Sequence, residues 1–330
     1  MSDRALRPTY SLRMDRRSVL AGSFGALVLG KAWPAKAGRR PVVVTTIAQL
    51  AEPLRVIAGQ RIDISSLMGE GVDPHLYRPT RSDMARLARA DGILWSGLHL
   101  EAQMIEVLEK LAHRRRGLAA GEATGAKDLL DWQNGLKDPH VWMDPALWRL
   151  AISASVEVLA EIDRDGAAVY RRNRDEYFAR LEAVAAYTKA AIGSIPETSR
   201  ILVTAHDAFG YFGRRFGIEV LGIQGISTES EAGLHRVERL VATLVERRIP
   251  AVFIETSVSE RNIRALIEGA AARGHKVRLG GSLYSDAMGA PGRYEGTYIG
   301  MLDHNATTIA RALGGSAPEG GMSGFLSHAS

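Results

Sequence analysis

The sequence contains no cysteine in 330 residues. This absence excludes disulfides, thiolate metal ligands and attachment to a membrane through an acylated cysteine. Long apolar runs are also absent, since none approaches the roughly 20 residues that a helix needs to span a bilayer. We therefore expect a soluble chain with no membrane anchor of its own.

The first 37 residues have the three parts of an export signal. A basic stretch ends at Arg16-Arg17, an apolar run covers 19–29, and Ala35-Lys36-Ala37 forms a small-residue cleavage site. The paired arginines are similar to those of a twin-arginine signal, with the Sec route as the alternative. We predict a cleaved signal over residues 1–37 and a mature protein in a bacterial periplasm.

The positive charge of the chain is concentrated in this leader. Residues 1–37 contain seven arginines and lysines and two aspartates, a balance of +5, which equals the net charge of the whole chain. The remaining sequence is close to neutral, which argues against a nucleic-acid partner. The whole chain of 330 residues, with 46% hydrophobic and 24% charged residues, has the composition and length for two core-forming domains.

Short β-branched runs alternate with helical patterns after the leader, which predicts an α/β fold with mainly parallel sheets. The predicted strands are 42–47, 62–67, 93–95, 201–204, 219–223, 251–255 and 276–279. The predicted helices between them are 83–90, 101–113, 208–216, 234–247 and 261–273. Two lobes of similar construction follow, at residues 38–164 and 196–314.

A run over 165–195 joins these lobes. Its apolar positions, from Tyr170 to Tyr187, recur at spacings of three, four and seven, which predicts one long amphipathic helix ending before Pro196. A stiff helix between the lobes would limit their relative movement. The tail over 315–330 is rich in glycine and serine, and we expect it to be flexible.

Three segments place a histidine where a predicted strand or apolar run gives way to a loop, and a fourth places an aspartate there. Ligands of open α/β sheets bind at the carboxyl ends of strands, so such loops from two lobes can converge in the cleft between them. The segments are 71–75, 138–145, 204–209 and 281–289, and the candidate residues are His75, His140, His206 and Asp286.

Imidazole and carboxylate together suit borderline and harder divalent ions such as Zn²⁺, Mn²⁺ and Fe²⁺. An Asp-Pro pair precedes both His75 and His140. Proline fixes its own φ and restricts the residue before it, so each histidine is presented from a stiff turn. The pattern indicates a divalent-metal site.

The same motifs resemble those of a known family, the zinc- and manganese-binding receptors of ABC transporters, also called cluster A-I or TroA-like periplasmic binding proteins. The resemblance runs from about Pro41 to Leu313 and is carried by the segments 71–77, 91–101, 138–144, 204–212 and 285–289. It implies two four-stranded α/β lobes joined by a rigid helix, with one metal ion between them as cargo. It also implies the ligand set His75, His140, His206 and Asp286, and as partners a membrane permease with its cytoplasmic ATPase. One receptor presents both lobes to one permease, so we expect a monomer.

The resemblance leaves the cargo open between Zn²⁺ and Mn²⁺, with Fe²⁺ less favoured. Manganese-selective members often carry glutamate at the third ligand position, where this chain has His206, and this keeps zinc in contention. Zinc-dedicated members often carry a histidine-rich loop between the first two ligands, and the stretch 114–139 contains no histidine. That difference favours manganese or a mixed cargo.

The remaining histidines and several acidic residues have other expected roles. We expect His99 to cap or face a helix, and the others to be exposed: His113, His235, His275, His304 and His328. Four acidic residues are candidates for contacting the ligand imidazoles from behind: Asp138, Asp144, Asp207 and Glu255. The aromatic residues near the ligand motifs are expected to pack in the core or cleft.

Two other functions stay open from the residues alone. A zinc hydrolase would need three protein ligands with an open position for water, and the chain has neither an H-E-x-x-H nor a G-x-S-x-G motif. A receptor for a metal chelate or an organic solute would need a roomy cleft. We therefore expect a metal receptor and not an enzyme.

Overall fold

The computed structural model describes residues 39–327. The predicted export signal over residues 1–37 and His328 lie outside the described residues. No helix within 39–327 combines the length and the apolar character that crossing a membrane requires.

The first half of the chain forms a parallel four-stranded sheet in the order β2-β1-β3-β4. Its strands are β1 (Val42–Thr45), β2 (Asp63–Ser66), β3 (Gly92–Trp95) and β4 (Arg116–Ala119). Helices α1 (Ala48–Ala58), α2 (Arg81–Arg89) and α3 (Ile105–Ala112) connect them. The two central strands are almost entirely buried, as expected for a parallel sheet with covered faces. The predicted α/β fold with parallel sheets is confirmed.

Helix α1 contains an interior proline, and the structure compensates for it. Pro53 has no N–H to donate to the carbonyl of Gln49, four residues earlier. That carbonyl instead accepts a hydrogen bond from Trp148 Nε1 at 3.0 Å. The break in the helical ladder therefore ties α1 to a neighbouring helix.

The second half of the chain pairs its strands differently from our expectation. In the described residues, β5 (Ile201–Thr204) pairs with β6 (Glu219–Gly222), and β7 (Ala251–Glu255) pairs with β8 (Arg278–Leu283). All pairings are parallel, but they form two two-stranded sheets and not the single four-stranded sheet expected. Pairing of β7 with β8 shifts register between Val252 and Phe253, and such an irregularity disrupts regular ladders. Helices α6 (Gly210–Phe216), α7 (Leu234–Glu246) and α8 (Arg261–Ala272) complete this half.

The predicted long helix is present as α5 (Ala167–Gly193), 27 residues in length. It follows α4 (Pro145–Ile162) and carries a buried stripe that includes Tyr170, Tyr177, Leu181 and Val184. Helices α1, α4 and α9 (Tyr298–Ala312) all pack against it. Because α9 follows the last strand, the end of the chain returns to the helix that links the two halves.

Two apolar clusters cover opposite sides of the strands in the second half. The larger combines the first sheet with α4, α5 and α9 and includes Leu202 and Phe253. The smaller joins α7 and α8 to Ile201, Val203 and Val252. Adjacent residues of β5 and β7 thus face different clusters, which follows from the alternation of side chains along a strand. This packing fixes the strand ends that precede the candidate ligands.

The glycine-rich tail makes specific contacts as far as Ser327. The backbone N–H of Met322 donates to both carboxylate oxygens of Asp303, at 2.9 and 3.1 Å. The backbone N–H of Ser327 donates to Glu295 Oε1 at 2.7 Å, and Leu326 is buried. Composition predicted a flexible segment, but buried carboxylates of the preceding region bind its backbone.

Candidate metal centre

The four candidate ligands come together at the ends of strands and short loops. His75 lies in the loop after β2, His140 precedes a single 3₁₀ turn before α4, His206 follows β5, and Asp286 follows β8. One donor atom from each lies within 4.8 Å of all the others. Two of these residues precede α5 and two follow it, as the sequence indicated.

Three of the separations between donor atoms are close to those around a tetrahedral ion. Asp286 Oδ1 lies 3.2 Å from His140 Nε2, and Asp286 Oδ2 lies 3.2 Å from His206 Nε2 and 3.8 Å from His75 Nε2. The Nε2 atoms of His75 and His140 are 3.3 Å apart. Ligand atoms about 2.0–2.1 Å from a tetrahedral zinc ion are separated by roughly 3.3 Å. The side chains are thus spaced to bind a small dication.

The cluster is buried and its polar atoms need a partner. His140 and His206 are fully buried, and His75 and Asp286 are 2% and 3% exposed. Within the described residues, His206 Nε2 and both carboxylate oxygens of Asp286 have no hydrogen-bond partner. Each such buried group costs about 1–3 kcal/mol when nothing binds it. A bound cation would satisfy all of these atoms together.

Carboxylates lie behind two of the three imidazoles. Asp138 Oδ1 lies 2.7 Å from His140 Nδ1, and Glu255 Oε2 lies 2.7 Å from His206 Nδ1. The second contact is close but its angles fall outside hydrogen-bond geometry. Glu255 also accepts a hydrogen bond from the backbone N–H of His206 at 2.8 Å. The Asp138 contact orients the His140 ring and leaves its Nε2 lone pair for a metal, whereas Glu255 holds the backbone of His206 and places a negative charge beside its ring.

Both Asp-Pro-His segments use the aspartate in the same way. The backbone N–H of His75 donates to Asp73 Oδ1, and that of His140 donates to Asp138 Oδ1, each at 2.9 Å. An aspartate that binds the backbone two residues later forms a compact turn. Proline stiffness alone was the feature used to predict these turns, and the carboxylate adds a second constraint.

The pKa values of the cluster reflect burial and charge together. Burial lowers the pKa of His75 to about 3. Burial also opposes protonation of His140, but the neighbouring Asp138 carboxylate prevails and raises its pKa to about 9. For Asp286, burial favours the neutral acid, yet His206 and His140 hold its pKa well below the usual range. The centre therefore combines an ionised carboxylate with imidazoles, and a metal ion must displace the protons of those imidazoles that hold one.

The Asp286 loop is also held by residues from the first half of the chain. Gln49 Nε2 donates to the carbonyl of Asp286 at 2.8 Å, and Trp142 Nε1 donates to the carbonyl of Ser285 at 3.0 Å. Sequence reasoning did not identify Gln49 as part of the site. Its only signal was a glutamine among the apolar positions of α1.

Several other sequence-based expectations need correction or refinement. Asp144 caps α4 by accepting from the N–H of Ala146 and does not support a ligand. Asp207 is only partly buried, and this partial burial raises the pKa of its carboxyl. His99 lies in an exposed turn with a φ of 64°, and not at a helix cap.

Of the histidines expected at the surface, His113 and His235 are exposed, whereas His275 and His304 are partly buried, each with a ring nitrogen close to a backbone carbonyl. His275 Nε2 lies 2.8 Å from the carbonyl of Ile249, and His304 Nε2 lies 2.9 Å from that of Ser282. The aromatic residues near the ligand motifs are buried as predicted: Trp142, Phe209, Tyr211 and Phe212.

An α/β fold with a long linking helix and a buried cluster of three histidines and one aspartate defines a metal-binding solute receptor of an ABC transporter. The chain belongs to the ZnuA family, described as zinc-uptake complex component A, periplasmic, whose profile matches residues 43–312. Members of this family are transporter receptors, so the prediction that the chain is not an enzyme is confirmed.

Relatives with assigned names cover nearly the whole chain. The manganese-binding lipoprotein MntA of Bacillus subtilis is 43% identical over 298 residues, which is 90% of this chain and 97% of that protein. The zinc-binding protein TroA of Treponema pallidum is 44% identical over 279 residues, which is 84% of this chain and 91% of that protein. The solved structure of the Treponema pallidum protein superposes with a TM-score of 0.82, covering 83% of this chain and 99% of the other.

Proposed function

We propose that this chain captures one Zn²⁺ or Mn²⁺ ion outside the cytoplasm and delivers it to an ABC permease. The proposed ligands are Nε2 of His75, His140 and His206 together with the Asp286 carboxylate. The observation that carries the proposal is the set of four buried side chains whose donor atoms all lie within 4.8 Å of one another. Four protein ligands form a closed site, which suits carriage of an ion and leaves no coordination position for a catalytic water.

The choice of ion follows from the donor set and from the relatives. Three imidazole nitrogens and one carboxylate bind zinc more tightly than manganese, because affinity for divalent ions at such sites follows the Irving–Williams order. One close relative is named for manganese and another for zinc, at nearly equal identity. We therefore propose that both ions bind, zinc more tightly, and that availability decides the physiological cargo.

The delivery step requires partners that a receptor does not supply itself. We propose that the mature protein acts as a periplasmic monomer after removal of residues 1–37. We further propose that lobes at 38–164 and 196–314, joined by a stiff helix over 165–195, contact a permease that a cytoplasmic ATPase drives. The 27-residue helix α5 and its packing against three other helices support limited movement between the lobes.

Metal titration tests the proposal directly. Metal-stripped protein should bind one equivalent of Zn²⁺ or Mn²⁺ by calorimetry, and His140→Ala should lower the affinity at least tenfold because a ligand is lost. The exposed His235 provides the matched control, and His235→Ala should leave the affinity unchanged. An unchanged affinity in His140→Ala would remove His140 from the site.

The physiological cargo can be identified in the native cell. Metal analysis of protein purified from its own periplasm gives the ion that the receptor carries. Uptake of that ion should fall in a strain that lacks the receptor. Normal uptake of both zinc and manganese in such a strain would contradict the delivery role.

A further inference from the structure

His75 is held less tightly than the other two histidines of the centre. Asp138 lies behind the His140 ring, and Glu255 lies behind the His206 ring. Among residues 39–327, the one carboxylate that pairs with the His75 ring is Asp286, at 3.8 Å. His75 is also the histidine of the three that retains exposure, at 2%. Its position therefore depends on how its loop is held.

The loop between β6 and α7, residues 223–233, starts beside another ligand. The backbone N–H of Gln224 donates to the carbonyl of Ala205 at 2.9 Å, and the N–H of Asp207 donates to the carbonyl of Gly225 at 3.3 Å. These two bonds lie on either side of His206 in the sequence. The beginning of the 223–233 loop is thus fixed to the backbone that carries His206.

The middle of the 223–233 loop reaches the segment that carries His75. Thr228 Oγ1 donates to Asp73 Oδ2 at 2.6 Å, across 155 positions of sequence. The other oxygen of Asp73 accepts from the backbone N–H of His75 at 2.9 Å. Next to Thr228, the exposed Glu229 accepts from Gln103 Nε2 at 3.1 Å. A single carboxylate therefore connects the 223–233 loop to the backbone of a candidate ligand.

These contacts form a continuous connection between two ligand residues, one before and one after α5 in the sequence. It runs from His206 through the 223–233 loop to Thr228, Asp73 and His75. Thr228 is 8% exposed, so water competes weakly for its hydroxyl. A hydrogen bond that orients a ligand reduces the entropy lost when the ion binds, and its removal acts mainly on the dissociation rate.

We propose that Thr228 and Asp73 are positioning residues that hold His75 in binding geometry, and that His75 is the ligand that leaves first when the ion is released. The inference rests on the proposed function and adds to it the route of release. Breaking the bond between Thr228 and Asp73 frees the His75 loop, while His140 and His206 stay held by their own carboxylates.

Two substitutions of Thr228 distinguish the contribution of its hydroxyl group from that of its side-chain shape. Thr228→Val keeps the branched side chain and removes the donor, and it should increase the rate of zinc release to a chelator about tenfold. Thr228→Ser keeps the donor and should release zinc at nearly the wild-type rate. Two controls should also match wild type: Ser227→Ala in the same loop, and Thr188→Val, which removes a buried hydroxyl bonded within α5.

A double-mutant cycle tests whether Thr228 acts through Asp73. Asp73→Ala should increase the release rate at least as much as Thr228→Val, and adding Thr228→Val to Asp73→Ala should have no further effect. Additive effects would overturn the proposal, as would wild-type release from Thr228→Val or fast release from Thr228→Ser. Melting temperatures of the metal-free variants identify a purely structural effect, which would lower stability without changing release. Failure of wild-type protein to bind zinc at all would instead contradict the proposed function.

Discussion

At the scale of single residues, the ligands were predictable and most of their supports were not. His75, His140, His206 and Asp286 stand out because each follows a strand or apolar run in a recognisable motif. Of the four acidic residues suggested as supports, Asp138 and Glu255 lie behind ligand imidazoles, whereas Asp144 caps a helix. The residues that bind a ligand's backbone are harder to predict, because contacts such as Gln49 with Asp286 join positions 237 apart.

The buried Glu255 carboxylate gives a prediction at this scale. Glu255→Gln should lower zinc affinity by about tenfold, because a neutral amide orients the His206 ring less firmly and makes it a poorer donor. Calorimetric titration of metal-stripped protein measures the change. The exposed Glu238 is the control position, and Glu238→Gln should bind like wild type. Equal affinities for Glu255→Gln and wild type would show that this carboxylate does not support the metal centre.

At the scale of elements, several regular patterns predicted their structures, whereas other elements, including α4 and α9, were not predicted. The apolar run of β5 and the three-four-seven spacing of α5 were identified from the sequence. Strand β4 was missed because it begins with Arg116 and contains Gly117, whose position allows close packing: a Cβ there would lie 2.3 Å from that of Ala112. Helix α1 was not among the predicted helices, and the hydrogen bond that its interior Pro53 cannot make is compensated by Trp148, a residue 95 positions away.

The junction between α4 and α5 gives a prediction about pH. Asp163 accepts hydrogen bonds from Arg61 and Tyr170, and the Arg61 guanidinium lowers the pKa of this carboxyl from its ordinary value. A lowered pKa contributes stability above the ordinary pKa and loses it as pH falls through the folded-state pKa. Asp163→Asn should therefore lower the free energy of unfolding at pH 7, by at most about 1 kcal/mol because solvent screens the partly exposed Arg61.

Urea unfolding of the metal-free protein at several pH values measures this effect. The difference between Asp163→Asn and wild type should shrink as the solution becomes strongly acidic. Asp165→Asn, at an exposed position of the same turn, should match wild type at every pH. A difference for Asp163→Asn that stays constant from pH 7 into strong acid would assign the effect to packing and not to charge.

At the scale of the whole molecule, the class of fold and the role of the chain followed from sequence, but the pairing of the later strands did not. A parallel α/β arrangement and a long helix in the middle of the chain were expected and are present. The second half nevertheless forms two separate strand pairs, and the β7–β8 pair shifts register at a point where β8 contains Gly280 and Gly281. Hydrogen-bond register depends on such local irregularities, and hydrophobic periodicity does not report them.

The prediction at this scale is that zinc stabilises the fold, because the ion binds the folded protein and not the unfolded chain. Zinc at a free concentration 100 times its Kd should stabilise the protein by about 2.7 kcal/mol, visible as a higher melting temperature in calorimetry. Magnesium, which prefers oxygen ligands in octahedral geometry, should give little change. His140→Ala should lose about half of the zinc effect or more, because a tenfold weaker affinity leaves about 1.4 kcal/mol at the same zinc concentration. Equal stabilisation by zinc in His140→Ala and wild type would indicate binding elsewhere.

The distribution of the four ligand residues along the chain has a consequence for the lifetime of the receptor. Residues 75, 140, 206 and 286 belong to four separate segments of a sequence that contains no cysteine. The cargo ion therefore acts as a removable cross-link in a chain that has no permanent one. A loaded receptor should resist proteases outside the cytoplasm, and each release of the ion returns it to its most easily degraded form. The supply of metal would then set how long the receptor persists as well as how much it carries.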